Sequence, residues 1–396
     1  MPWKEELPMD QKTQFISEYL RDSLSFTELC QRYHISRKTG YKWINRYDAE
    51  GHAGLVDPSR RPHSSPDQTS EAVRRAIVDA RRRHPSWGAK KLLKLLQRKE
   101  PQTAWPSRWT ICEILKREGL VRQKTRRRKI GHSGKPQSIV TAPNQLWCVD
   151  FKGEFKTRDG RYCYPLTVTD SYSRYLLGCQ GLLSTETRGA KETFEGLFKK
   201  YGLPQAIRSD NGVPFASTAL GRLSQLSVWW IRLGIGRELI EPGKPQQNGQ
   251  HERMHRTLKA ETTRPPEANL AKQQRLFNRF MREYNEVRPH EGIELKTPAS
   301  LYKASKLVLP KEVPELVYPA HFETRLVSRN SGIRWNSQWV AVSQTCAGLH
   351  VGLEQVDHGL WDVYLGPGVR LKVRPRITGL LDAAVSNMMT IHHWLC

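Results

Sequence analysis

The chain has 396 residues, too many for one ordinary hydrophobic core, so its length predicts about two to four domains. It carries 64 Lys and Arg against 39 Asp and Glu, a net charge of +25, which favours an extended polyanion such as nucleic acid as partner. Its seven cysteines form no C-x-x-C pair and no apolar run reaches the roughly 18 residues of a membrane span, so structural zinc and a membrane-spanning protein are disfavoured.

The positive charge is distributed unevenly. Residues 1–50 hold 8 basic and 8 acidic residues, whereas residues 51–140 hold 22 basic and 7 acidic residues, a net charge of +15. We therefore expect this second stretch to lie against phosphates. A membrane surface also attracts basic proteins, but with no apolar span and no signal-peptide pattern we expect a soluble, intracellular protein.

Residues 1–56 are expected to form a first, all-α module. Apolar residues recur there at spacings of two to four, which favours three short helices over strands. Ser25 and Ser36 stand where they can cap the second and third helices. The module resembles a helix-turn-helix of the homeodomain-like kind, whose third helix would present these residues to a DNA major groove: Arg37, Lys38, Thr39, Lys42 and Arg46. A small helical bundle with a solvated basic face is the alternative.

A Pro/Ser/Arg-rich stretch at residues 57–69 predicts an extended linker to a second helical module at residues 70–121. Apolar spacing there predicts three amphipathic helices, the last ending at Gly119. We interpret this module as a second helix-turn-helix or winged-helix unit, because two linked modules can read a longer DNA sequence than one. Residues 122–140 predict a basic tether with these candidate DNA contacts: Arg126, Arg127, Arg128 and Lys129. A nuclear-localisation-like run is the alternative.

From Gln145 the pattern changes to segments rich in aromatic and β-branched residues, which are typical of strands. Residues 141–305 are expected to form one domain. Its predicted elements are strands at 146–155, 162–170 and 175–180, a helix at 187–201, a strand at 206–209, a helix near 220–233, a strand at 237–240 and a long helix from about 247. This order is typical of an α/β mixed sheet.

Three carboxylates stand at informative places in these elements. Asp150 follows a predicted strand, Asp210 ends another, and Glu252 lies in the long helix. In-line phosphoryl transfer in DNA needs two cations about 3.5 to 4 Å apart, so several carboxylates must meet at one point. Taken singly, each of the three is more often an ordinary turn or surface acid.

Several ordered motifs resemble those of the DDE transposases of bacterial insertion sequences, whose core is like that of retroviral integrases and related to RNase H. They are the Trp-x-x-Asp ending at Asp150, the Ser-Asp-Asn-Gly-x-x-Phe of 209–215 and the Pro-Gln-Gln-Asn-Gly of 245–249 that leads to Glu252. Tyr284-Asn285, Arg288-Pro289-His290 and Thr297-Pro298 also match. The resemblance covers roughly residues 10–300. It implies that Asp150, Asp210 and Glu252 are the catalytic residues and the metal ligands.

The sequence departs from this family in two places. The 41 residues between Asp210 and Glu252 are more than usual, which predicts an insertion near residues 228–236. No His-His-Cys-Cys zinc module precedes the core, which favours the insertion-sequence branch over retroviral integrases. Asp170 is a rival for the first carboxylate, but its position before Ser171 favours a strand-end turn or cap.

Glu252, Arg256 and Lys259 fall on one face of the predicted helix, which would align a metal ligand with two contacts to DNA phosphates. A plain salt bridge between Glu252 and Arg256 is the alternative. Cys148 and Cys163 are interpreted as small core residues rather than nucleophiles.

Short alternating segments at residues 320–378 predict a small β-barrel, which by resemblance would be an SH3-like domain that contacts DNA. A purely structural cap is the alternative. Residues 379–396 show little pattern and predict a disordered or altered tail. The expected fold class is thus multidomain: N-terminal all-α helix-turn-helix modules, an α/β RNase H-like catalytic core and a small C-terminal β-barrel.

The resemblance implies a transposase that binds the ends of a mobile element, cleaves them to free 3′-hydroxyls and joins those to target DNA. It also implies Mg²⁺ as the cofactor, with Mn²⁺ as a substitute, and a homo-oligomer when two DNA ends are brought together. The expected location is the bacterial cytoplasm, at the nucleoid. A non-catalytic DNA-binding regulator and a nuclease of RNase H type are the alternatives.

Overall fold

The computed structural model describes residues 8–57, 68–121, 138–218, 220–241, 245–357, 360–366, 369–371 and 377–378. The chain divides into two compact units, Met1–Ser70 and Glu71–Cys396. Most of the predicted linker, the basic tether with Arg126, Arg127, Arg128 and Lys129, and the predicted tail lie outside the described residues. No described helix is both long and apolar enough to cross a lipid bilayer.

The first unit contains three helices, as its apolar spacing predicted. They are α1 (Pro8–Leu20), α2 (Phe26–Arg32) and α3 (Arg37–Glu50). Ser25 and Glu28 form a reciprocal cap on α2, and the Ser36 hydroxyl accepts the Thr39 backbone N–H at the start of α3. A Cβ on Gly40 would lie 2.8 Å from the Cys30 sulfur, so only glycine lets α3 approach α2 this closely.

The second unit begins with another three-helix module, which also agrees with the sequence. Its helices are α4 (Glu71–Arg83), α5 (Ala89–Lys99) and α6 (Arg108–Arg117). Ile77, Leu92 and Ile111, one from each helix, are completely buried against one another in the core of the module. Each helix therefore turns one apolar face inward, and most of its cations are exposed, although some, such as Arg81 and Lys91, are half-buried.

A mixed sheet forms the centre of the second unit. Its strands are β1 (Leu146–Phe151), β2 (Phe155–Lys156), β3 (Tyr162–Asp170), β4 (Leu176–Leu182), β5 (Ala206–Ser209) and β6 (Gly236–Leu239). Their order is β4-β3-β1-β5-β6, with β2 paired to one end of β3. β3 is antiparallel to β1, whereas β5 is parallel to β1 and β6 to β5. The α/β mixed sheet is confirmed, but the strand expected at 146–155 is interrupted at Gly153, whose φ of 85° suits glycine.

Helices cover both faces of this sheet. They are α7 (Thr187–Tyr201), α8 (Gln225–Arg232), α9 (Gly249–Thr262) and α10 (Leu270–Arg282). Trp147 and Val149 of β1 pack in one core with α7 and α8, while α9 and α10 form a second core with β3 and β4. Because side chains alternate along a strand, Cys148 and Asp150 face away from Trp147 and Val149, which is the side of α9.

Helix α8 overlaps the segment where an insertion is predicted, and its buried residues lie on every side of the helix. Leu226 and Trp230 pack into the core beneath the sheet, whereas Val228 and Ile231 pack into the core of the C-terminal region. A helix that is apolar all round requires partners on opposite faces. α8 therefore joins the two cores.

The expected C-terminal β-barrel is wrong for the described residues. The strands are β7 (Glu323–Leu326), β8 (Gly332–Trp335), β9 (Gln338–Ala341), β10 (His350–Asp357), β11 (Leu360–Tyr364), β12 (Arg370–Leu371) and β13 (Ile377–Thr378). β7, β10 and β11 form an open sheet to which β12 and β13 add at the far edge, and β8 pairs with β9 in a separate hairpin. Residue alternation correctly predicted strands in this region. The strands do not close into a barrel, because the β8-β9 hairpin packs on the sheet instead of joining its two edges.

Candidate active site

Asp150 and Asp210 are brought level by the parallel pairing of β1 and β5. The two strands are paired at Cys148 and Arg208, and each aspartate lies two residues further along its own strand direction. Neighbouring strands lie about 4.8 Å apart, and residues two apart share a face. The pairing therefore places both carboxylates side by side at the same end of the sheet.

The pKa of Asp150 indicates that the other two carboxylates lie near it. Burial and, next, the charge of Asp210 raise the pKa of Asp150 to about 7, and the charge of Glu252 contributes in the same direction. Burial also raises the pKa of Asp210, against the effect of the Gly212 N–H, which donates to its Oδ1 at 3.2 Å. The like charges and partial burial favour a neutralising cation at this point.

Glu252 lies in the first turn of α9 and is exposed, together with Arg256 and Lys259 on the same helix. Within the part of the chain that the structure describes, Glu252 forms no ion pair with Arg256, and no three His, Cys, Asp or Glu side chains stand close enough to hold a metal ion as they are. The structure thus brings Asp150 and Asp210 together and leaves Glu252 nearby, on the solvent side.

The donor set fits a hard divalent cation. Asp150, Asp210 and Glu252 offer only carboxylate oxygens, which Mg²⁺ prefers, and the exposed position of Glu252 leaves room for water ligands. Lys152 lies near the same place: burial and then the charge of Lys259 lower its pKa. These two lysines supply positive charge beside the carboxylates, where a DNA phosphate would need it.

A buried hydrogen-bond network under Asp150 was missed by the sequence analysis. The Thr167 hydroxyl donates to the Asp150 carbonyl oxygen at 3.0 Å, so it accepts from the Nε2–H groups of His251 and His255, each at 2.7 Å. The Thr169 hydroxyl lies 2.9 Å from Nδ1 of His251. The i, i+4 spacing of the histidines in α9 was the available signal.

These histidines are neutral, and one of them faces the carboxylate. Burial lowers the pKa of His251 to about 3, and burial with the charge of His251 lowers that of His255 to about 2. His255 Nδ1 lies 3.7 Å from Oδ2 of Asp150. The network therefore fixes the backbone of Asp150 from below and places a neutral ring beside its side chain.

Asp170 has the structural role that its sequence position indicated. It is completely buried, and its oxygens accept hydrogen bonds from the Asn144 backbone N–H and from the backbone N–H and hydroxyl of Ser173. These bonds close the turn after β3. The carboxylate of Asp170 is therefore engaged in structural hydrogen bonds.

The candidate DNA contacts of α3 divide into two groups. Arg37, Lys38 and Lys42 are exposed, whereas Thr39 is bonded to Ser36. Arg46 is half-buried, since it lies 5.1 Å over the ring of Trp43 and 3.6 Å from a carboxylate oxygen of Asp57. Lys42 is exposed but its Nζ also lies 4.8 Å over the ring of Trp43, so Arg37 and Lys38 are the candidates most readily available to a partner.

Comparison with known families agrees with this architecture. Integrase core domain models match residues 140–245 and 233–298, a homeodomain-like domain model matches residues 39–115 and a helix-turn-helix domain model matches residues 11–63. The integrase models thus cover the sheet and the three carboxylates. The other two models cover the helical modules.

Three known proteins are similar over parts of this chain. A 31.7 kDa protein of insertion element IS407 from Burkholderia multivorans is 25% identical over 60% of this chain and 82% of its own length. A 39.2 kDa protein of insertion element IS476 from Xanthomonas euvesicatoria is 26% identical over 62% of this chain and 69% of its own length. The Gag-Pol polyprotein of baboon endogenous virus is 34% identical over 31% of this chain, which is 7% of the polyprotein. The chain therefore combines helix-turn-helix domains with an integrase core domain, and these matches together with its similarity to proteins of insertion elements support an insertion-sequence transposase with a retroviral-integrase-like core.

Proposed function

We propose that this protein binds the ends of a mobile DNA element, cleaves them to free 3′-hydroxyls and joins those ends to target DNA. Asp150, Asp210 and Glu252 hold the divalent cations of both steps. The observation that carries the proposal is the level placement of Asp150 and Asp210 on parallel strands, beside the helix of Glu252. Mg²⁺ is the expected ion and Mn²⁺ a substitute.

Divalent cations held by Asp150, Asp210 and Glu252 would supply activation of the attacking oxygen and stabilisation of the leaving oxygen in an in-line displacement. The chain's own residues fix where this happens. β1 and β5 hold Asp150 and Asp210 at one end of the sheet, and Thr167 fixes the backbone of Asp150. Glu252 approaches from the exposed start of α9, so it can take its final position when DNA arrives. Water is the nucleophile in cleavage and a DNA 3′-hydroxyl is the nucleophile in joining.

The geometry disfavours a regulator that only binds DNA. Asp150 and Asp210 are partly buried next to each other, which raises the free energy of both charged forms. Placing DNA phosphates beside them without a cation would add further repulsion. A protein that only binds DNA gains nothing from this arrangement, whereas phosphoryl transfer requires it. A nuclease of RNase H type would need neither helical module.

We expect two or more copies to act together, since joining requires two DNA ends in one complex. The bacterial cytoplasm, at the nucleoid, is the expected place of action. The helical modules are expected to recognise the element's ends, because both carry exposed cations on helices of helix-turn-helix type.

The decisive experiment compares Asp150→Asn, Asp210→Asn and Glu252→Gln with wild type on DNA that carries the ends of the element. Each variant is expected to lose at least about 100-fold in cleavage and joining, since even outer-shell partners of metal sites are worth 10–100-fold. End binding in metal-free buffer is expected to persist. Far-ultraviolet circular dichroism checks the fold.

Asp79→Asn and Glu192→Gln are matched controls, because they remove one exposed carboxylate from α4 and α7. Both are expected to cleave like wild type. Robust cleavage by folded Asp210→Asn would overturn the mechanism, and robust cleavage by folded Glu252→Gln would assign the third ligand to another residue.

A further inference from the structure

A cavity of about 320 Å³ lies between the second helical module and the core, on the side of α9. Lys91 of α5 forms one wall, Arg253 of α9 another, and Arg174 of the turn after β3 and Arg288 complete the basic lining. Glu291 is the acidic residue of the lining. Four cations against one carboxylate give the cavity a strong positive potential.

Arg174 is the most unusual of these cations. Its Nε is buried without a hydrogen-bond partner, and its guanidinium forms no ion pair with any described residue. Burial is the largest influence on its pKa and lowers it; Tyr284, Cys148 and Asp170 act in the opposite direction, and the charge of Arg253 adds to the lowering. A charge that is half-buried without a counterion is costly, so Arg174 would be stabilised by an anion that binds in the cavity.

The neighbours of Arg174 do not neutralise it. Burial and then the charge of Arg288 lower the pKa of Lys91 to about 8, although Glu291 and Glu261 act in the opposite direction. Arg288 is already bonded to Glu261 at 2.9 Å. Among the described residues, three cations of the cavity form no ion pair: Lys91, Arg174 and Arg253.

The cavity continues beyond Arg174. A second cavity of about 640 Å³ shares Arg174, Gln250 and Gly292 with the first, so an extended ligand can pass from one to the other. Arg253 directly follows Glu252 in α9, and consecutive helical residues do not share a face, so the cavity lies on a different side of the helix from the candidate metal ligand. A free phosphate would fill only a part of this length.

We propose that this basic cleft, defined by Lys91, Arg174 and Arg253, binds phosphodiester groups of DNA at a site separate from the three carboxylates. The proposal rests on the proposed function only in that DNA is the partner. The second helical module then has two tasks, since α5 supplies part of the surface that holds DNA against the core. Sequence is not read here, because the cations meet backbone phosphates.

The test uses the full chain, a fluorescein-labelled DNA duplex of arbitrary sequence and metal-free buffer over a salt series. Arg174→Met keeps the aliphatic stem and removes the charge. It is expected to lower the slope of log affinity against log salt by about 0.9, the value for one phosphate contact, and Lys91→Met is expected to do the same. The Tm of Arg174→Met without DNA is expected to equal or exceed that of wild type, because an unpaired half-buried charge is removed.

Arg188→Met is the matched control, since it removes one exposed cation from α7. An unchanged slope for Arg174→Met, or an equal fall for the control, would overturn the proposal. A lower Tm for Arg174→Met would show that the residue supports the fold and would also overturn it. Inorganic phosphate at equal ionic strength is expected not to protect wild type against heat. If inorganic phosphate protected wild type as strongly as DNA does, the ligand of the cleft would be a free anion and not DNA.

These results are independent of the carboxylates because no metal is present. An unchanged slope with normal cleavage would remove the cleft and leave the proposed function intact. A lower salt-dependence slope for Arg174→Met, together with a wild-type protein that does not cleave DNA, would support the cleft and contradict the proposed function.

Discussion

The hydroxyl of Thr167 donates a hydrogen bond of 3.0 Å to the carbonyl oxygen of Asp150. The same hydroxyl accepts from His251 and His255 on α9, so one small side chain ties β1, β3 and α9 together. The position of Asp150 therefore depends on a buried polar network as much as on strand pairing.

Thr167→Val is expected to destabilise the protein by at least about 2 kcal/mol, because it leaves two buried imidazole N–H groups without acceptors. Urea unfolding followed by tryptophan fluorescence measures the loss. Thr193→Val is the control, since its hydroxyl bonds only to the Gly189 carbonyl within α7, and its effect should stay within about 0.5 kcal/mol. Equal effects of the two substitutions would contradict the assigned role of Thr167.

Glu261→Gln is expected to destabilise the second unit by about 1–3 kcal/mol, because Glu261 accepts from Arg288 at 2.9 Å and from Ser86 at 2.6 Å. Arg288 would remain buried with a weakened partner. Glu294→Gln removes an exposed carboxylate that pairs with Lys296, and its cost should stay below about 1 kcal/mol. The urea midpoints of the two variants and wild type are compared. A Glu261→Gln variant as stable as wild type would contradict a stabilising role for the contacts of Glu261 with Arg288 and Ser86.

His290 is expected to make stability depend on pH. Burial lowers its folded pKa from 6.5 to about 4, while its Nε2 lies 3.0 Å from the Tyr284 carbonyl oxygen. Between these pKa values the unfolded chain binds the proton more strongly, so unfolding free energy falls as pH falls. The contribution is at most about 1.4 kcal/mol per pH unit.

The measurement compares wild type with His290→Gln, which can still donate to the Tyr284 carbonyl. Wild type should lose stability relative to the variant as pH falls from 6.5 to about 4, and the difference should level off outside this window. Parallel curves across the window would contradict the burial of His290 in its neutral form.

Arg37→Ala in the full chain is expected to weaken binding to the element's ends. A base-edge contact would cost about 1–3 kcal/mol and relax sequence preference at one position. Arg46→Ala is expected to lower the Tm of the first unit more than its DNA affinity, because Arg46 packs on Trp43 and lies near Asp57. Fluorescence anisotropy and thermal unfolding separate the two effects, and equal DNA binding by Arg37→Ala and wild type would show that α3 presents another face.

Local pattern was enough to predict much of this fold. The helix expected at 187–201 and the strand at 206–209 agree with α7 and β5, because each is bounded by strong signals such as Gly202 and Pro204. Asp170 was correctly assigned to a turn for the same reason. The order of helices and strands along the chain also correctly indicated a mixed α/β sheet.

Contacts between distant segments could not be predicted in this way. Thr167 and His255 are 88 residues apart, and their hydrogen bond depends on how α9 crosses β3. Lys91 and Arg253 line one cavity only because the second helical module packs on the core. The open C-terminal sheet was mistaken for a barrel since closure depends on which edges meet, and residue alternation carries no information on that.

The double burial of α8 has a consequence for shortened products of the gene. A chain that ended before β7 would keep Val228 and Ile231 but lose the strands that cover them, and a contiguous apolar patch would face solvent. Such a fragment would be expected to self-associate and precipitate instead of competing with intact copies for DNA. Loss of the last sheet would therefore silence a copy of the element without producing an inhibitor of its relatives.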